Sequence, residues 1–136
     1  MNLWPEMYRV VQEVEPHYVF AENVSREAIE SAAHDLCAMG YKADMLPLSA
    51  ADLGADHVRE RYWLLAYADD KSELRRCIDA EMAQCESICE GVWQTEPSHS
   101  RVVNGVAGRM ERYTATGNGQ VPIVAAAALW SLAQAE

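Results

Sequence analysis

Apolar positions fall into alternating helical and extended patterns along the first 70 residues. In 4–14 (WPEMYRVVQEV), Met7, Val10, Val11 and Val14 recur at helical spacing, and Pro5 suits a first turn. Pro16 stops that helix. Residues 17–21 (HYVFA) form a short β-prone apolar run, expected to be a strand buried on both faces, and Glu22-Asn23-Val24 ends it. Ser25 is the expected N-cap of a helix over 26–38 that carries Ile29, Ala32, Ala33 and Leu36 on one face, with Gly40 closing it. A strand is predicted over 41–48, and Pro47 marks it as an edge or bulged strand. Another strand is predicted over 61–68 (RYWLLAYA).

The pattern then becomes helical again. Residues 71–90 place Leu74, Cys77, Ile78, Met82, Cys85 and Cys89 on one side. A loop is expected over 91–100, a short helix over 101–113 and a glycine turn over 114–122. A final helix over 123–134 is apolar on nearly every face and is therefore expected to be buried. The order of elements predicts an α/β fold, specifically the back half of an open sheet with flanking helices.

Composition narrows the function. At 136 residues the chain supports one domain with one core. No apolar run is long enough for a membrane span, and no basic leader precedes an apolar stretch, so a cytoplasmic protein is expected. The four cysteines lack a CxxC pair and read as reduced thiols, with no metal site expected. The net charge is −10, and 18 of the 21 acidic residues lie in the first 90 positions. Such a chain is a poor non-specific binder of nucleic acid, because phosphate affinity comes from Lys and Arg. Nine of its eleven bases are nonetheless Arg, suited to oriented, forked contacts.

Three local features carry candidate chemistry, each with a structural alternative. Glu22-Asn23 lies at the carboxyl end of the 17–21 strand, where open α/β sheets bind ligands; the alternative is a helix-capping turn. Arg59 and Arg61 alternate with Glu60, so in an extended chain both guanidinium groups share one face and suit a phosphate or a pyrimidine carbonyl; the alternative is a surface charge ladder. Gly117-Asn118-Gly119 lies ahead of an apolar helix and allows close backbone approach to a ligand; the alternative is an ordinary capped loop.

Together, LWPEMYRVVQEVEPHYVFAENV, GYKADMLPLSAADLGADHVRERYWLLA and RVVNGVAGRMERYTATGNGQVP resemble the back half of a DNA cytosine-5 methyltransferase of the bacterial and phage kind, over residues 3–68 and 101–135. The ENV, RxR and GN elements stand in the family's order. The resemblance implies a partial Rossmann-like methyltransferase sheet, with parallel strands plus an antiparallel hairpin. It divides the chain into a back half of the catalytic domain (1–70), a remnant of the target-recognition region (71–100) and a turn and helix returning to the catalytic domain (101–136). It implies that Glu22 contacts N3 and the amino group of a flipped cytosine, that Asn23 orients the loop, and that Arg59 and Arg61 hold the cytosine carbonyl. Leu3, Asn118 and Gly119 would border S-adenosylmethionine.

The departures are equally specific. The family's nucleophile is a Cys in a Pro-Cys motif ahead of ENV, whereas the first Cys here is Cys37, inside the helix after it. The Gly-rich cofactor loop has no counterpart, Gln120 stands where the family usually has Val, and residues 69–100 are too few for a full target-reading domain. The implied activity therefore needs a complementing N-terminal chain, with DNA as the target. The alternative is a non-catalytic binding or regulatory module, or a remnant, that self-associates. With one side of the 17–21 strand unpaired, a homodimer or a complex with an N-terminal methyltransferase chain is expected.

Overall fold

A computed structural model describes residues 3–55, 58, 60–82 and 122–135. Its elements are α1 (Trp4–Val14), β1 (Tyr18–Asn23), α2 (Arg26–Ala38), β2 (Lys42–Leu48), a 3-10 turn (Ala51–Leu53), β3 (Arg61–Tyr67), α3 (Ser72–Met82) and α4 (Pro122–Gln134). The expected loop over 91–100, helix over 101–113 and most of the glycine turn lie outside the described residues.

Local signals explain where most elements begin and end. Pro5 occupies the first turn of α1. Glu15 ends that helix with a left-handed backbone (φ 47°) and its N–H donates to Val11 O at 2.9 Å. Ser25 caps α2 as expected: its hydroxyl accepts from Ala28 N–H at 3.2 Å and donates to Glu27 Oε2 at 2.7 Å. That contact holds the Glu27 carboxyl below its ordinary pKa. Gly40, with φ of 97°, provides the left-handed residue after α2 that side chains disfavour.

The sheet order is β1-β3-β2, and both pairings are antiparallel. This corrects the expectation of parallel neighbours. β1 and β2 do run in the same direction, but β3 lies between them. Four successive residues of β3, Trp63 to Ala66, are buried, as a strand paired on both sides and covered on both faces requires. β1 is buried only at Val19, so the expectation of a strand buried on both faces applies to β3 rather than β1. Among the described residues β2 is an edge strand with Pro47 inside it, as its sequence predicted, and its pairing with β3 runs without a bulge.

Helices cover both faces of the sheet. On one face, Val11 of α1 and Ile29, Ala32, Ala33 and Leu36 of α2 pack with Val19, Leu64 and Ala66. On the other, Val124, Ala128, Leu132 and Ala133 of α4 pack with Trp63 and Leu65. α4 is held at its carboxyl end. Lys71 Nζ donates to Leu132 O (2.9 Å), Ala135 O (2.6 Å) and Asp44 Oδ2 (2.6 Å), and Arg75 Nε donates to Ala133 O (2.5 Å). Two cations thus neutralise the carbonyls that a helix leaves unpaired at its negative end. Burial of α4 is incomplete: Trp130 is 43% exposed.

Candidate active site

The alternation of β3 puts Arg61, Trp63, Leu65 and Tyr67 on the face covered by α4. Glu22 stands directly across from Trp63 in the β1–β3 register. Asn23 pairs with Tyr62, and β1 ends there. Arg61 therefore projects just beyond the end of β1, and its side chain reaches back to Glu22, with Nε 3.5 Å from Oε2. Both side chains are mostly covered, at 16% and 19% exposure. Among the described residues Glu22 Oε2 nevertheless has no hydrogen-bond donor. A buried carboxylate oxygen without a donor is costly and uncommon in folded proteins. The sheet end thus presents an open acceptor beside a positive charge.

Asn23 does something different. Its Oδ1 accepts from Ser25 N–H at 3.0 Å, forming the turn that leads into the α2 cap. The capping alternative describes Asn23, whereas Glu22 turns to Arg61 instead of capping the helix. One dipeptide divides the two roles.

The other expected residues are placed less fully. Leu3 precedes α1 and is 65% exposed, and no described contact joins it to Glu22 or Arg61. Arg59, Asn118 and Gly119 lie outside the described residues. Glu60 flanks the site: its backbone oxygen accepts from Arg61 Nη1 at 3.0 Å, and its carboxylate accepts from the Tyr62 hydroxyl at 2.9 Å. That second bond raises the Tyr62 pKa.

Trp63 was not singled out by its sequence, yet it lines this site. Its indole stacks on Phe20 (ring centres 5.4 Å apart, planes 15° apart), and its buried Nε1 has no hydrogen-bond partner among the described residues. Its spacing of two from Arg61 was the available signal, since both then share a strand face. An unpaired donor and an unpaired acceptor are thus carried by directly opposed residues.

Cys37 on α2 and Cys77 on α3 are free and exposed, and neither contacts Glu22 or Arg61 in any described interaction. Among the described residues no group of side chains has the makings of a metal site, and no helix is long and apolar enough to cross a membrane.

No curated protein matches the chain. Comparison with protein families matches residues 1–117 to the C-5 cytosine-specific DNA methylase family. The matched segment contains Glu22, Asn23, Arg59 and Arg61, ends just before Asn118, and does not extend to α4. With most of its length matched and a carboxylate–guanidinium pair at the end of its β1 strand, the chain belongs to the C-5 cytosine-specific DNA methylase family.

Proposed function

We propose that this chain is the base-holding part of a DNA cytosine-5 methyltransferase, active only with a complementing polypeptide that carries the attacking thiol. The observation that supports this reading is the buried, unbonded Glu22 Oε2 beside Arg61. An extruded cytosine offers a ring nitrogen at N3 and an amino group next to it. A carboxyl group facing that edge accepts from the amino group and shares a proton with N3. Arg61, with Arg59, would hold the carbonyl at O2. Nucleophilic attack builds negative charge on the ring, and a proton at N3 with a fixed cation at O2 disperses it. The base must leave the duplex to meet these groups.

The family uses S-adenosylmethionine as its methyl donor. The described residues of this chain do not make a site for it: Leu3 is an exposed residue at a helix start, with no described polar partner for an amino acid or a ribose. Among the described residues, the chain's part in the reaction is therefore at the base. Cys37 and Cys77, the free thiols among the described residues, lie on α2 and α3 and make no described interaction with Glu22. A carboxylate and a guanidinium without a nucleophile bind and polarise but form no covalent intermediate.

The test is complementation. The chain is mixed with a polypeptide carrying the Pro-Cys and Gly-rich motifs, and transfer of labelled methyl groups to DNA is measured. Transfer in the mixture and none with either chain alone supports the reading; no transfer with any such polypeptide contradicts it. A second reading, a non-catalytic module, is favoured by the net charge of −10, which suits a protein partner better than free DNA.

A further inference from the structure

We infer that Trp63 is a positioning residue for Glu22: one water accepts from the Trp63 indole N–H and donates to Glu22 Oε2, and this bridge fixes the direction in which the carboxylate meets the base. The inference deepens the reading above and rests on it for the use made of Glu22.

The strand register brings the two groups together. Glu22 of β1 and Trp63 of β3 are directly opposed. Opposed residues of an antiparallel pair share a face of the sheet, with their β-carbons about 5 Å apart. Each carries a buried polar atom that has no hydrogen-bond partner among the described residues, an acceptor on Glu22 and a donor on Trp63. Leaving either atom unbonded costs free energy. A single water satisfies both: its oxygen accepts from the N–H, and one of its protons goes to the carboxylate. Buried waters bind where a few polar groups converge. Arg61 is the further polar neighbour, with Nε 3.5 Å from the same carboxylate oxygen.

Packing holds the indole in place. Trp63 is 1% exposed, and its ring lies nearly parallel to that of Phe20. Phe20 stands two residues before Glu22 and therefore on the same face of β1. Trp63 also belongs to one cluster with Leu65 and with Val124 and Ala128 of α4. The direction of its N–H is thus set by the core and not by the occupant of the site. Arg61 is held differently. Its Nη1 donates to the Glu60 backbone oxygen at 3.0 Å, and its Nε approaches Glu22 Oε2 without making a hydrogen bond. Arg61 supplies charge, and Trp63 supplies direction. A carboxylate has about four acceptor positions, so one bond to a water leaves others for the base.

Two replacements separate the donor from the shape of the ring. Trp63→Phe removes the N–H but leaves space in the core. A 3-benzothienylalanine placed at position 63 keeps the two-ring shape and carries sulfur where the indole carries N–H. Indole N–H signals of the full chain are recorded by NMR in water, and the Trp63 signal is the one missing from both variants. The expected result is a cross-peak between that N–H and a bound water, lost in Glu22→Leu. In the complemented pair, the benzothienyl chain should transfer methyl groups about tenfold more slowly in a single turnover, with DNA binding and melting temperature unchanged. No cross-peak, a cross-peak that persists in Glu22→Leu, or a parental rate with the benzothienyl chain overturns the inference. A parent pair that transfers no methyl group contradicts the proposed function instead, and the cross-peak with its loss in Glu22→Leu then decides the bridge alone.

Discussion

The first and last helices of this chain are both rich in apolar residues, yet they are treated in opposite ways. α4 buries Val124, Ala128, Leu132 and Ala133 against the sheet, and its last carbonyls are held by Lys71 and Arg75. α1 buries Val11 and leaves Leu3, Met7, Val10 and Val14 in solvent. A helix can thus be fixed by the chain that contains it or left half-finished. The half-finished one leads through three residues into β1, which among the described residues has a strand on one side only. The lesson is that apolar content alone does not say what a helix packs against; its end contacts and the state of the adjacent sheet edge do.

Substitutions that separate the two helices should differ most in their effect on stability. Leu132→Ala removes a fully buried side chain from the α4 interface and should cost about 2–5 kcal/mol in denaturant unfolding. Lys71→Met should cost less, about 2 kcal/mol, because Asp44 remains partly hydrated when it loses its partner. Met7→Glu on α1 should change stability by less than about 0.5 kcal/mol, since the side chain is already exposed. If Met7→Glu destabilised the isolated chain as much as Leu132→Ala, the contrast between the helices would fail.

The smallest effect concerns pH. Hydrogen bonds from Ser25, Ser49 and Ser72 lower the pKa values of Glu27, Asp52 and Asp70. A carboxyl group with a depressed folded-state pKa stabilises the fold above its unfolded pKa and loses that contribution as pH falls through the folded value. All three groups are on the surface, at a helix start or the short turn after β2, so acidification below the ordinary carboxylate range should lower the melting temperature slightly. The Ser25→Ala, Ser49→Ala and Ser72→Ala variants together should flatten that acid limb.

Local features of this fold were legible in the sequence, and long-range ones were not. The Ser25 cap, the 26–38 helix, its buried face and the edge character given by Pro47 all follow from short spacings, and the structure has them. The insertion of β3 between β1 and β2 was not legible, because strand order depends on pairings between residues far apart in the chain, such as Tyr18 with Tyr67 and Lys42 with Tyr67. The role of Lys71 was hidden for a similar reason: its partners Leu132 and Ala135 are more than 60 residues away, and a single Lys ahead of a helix has no pattern of its own. At the site, the sequence placed Glu22 and Arg61 as candidates but could not show that Asn23 is consumed by a turn, or that Trp63 faces Glu22 across the sheet.

The most direct test is the rate of methyl transfer to DNA by the complemented pair of polypeptides, with Glu22→Gln against the parent chain. Glutamine keeps the shape of the side chain but cannot hold a proton for the ring nitrogen. The account predicts that the chemical step slows about a hundredfold or more while the two chains still associate. An unchanged rate in an intact complex would mean that the Glu22–Arg61 corner does not serve the base.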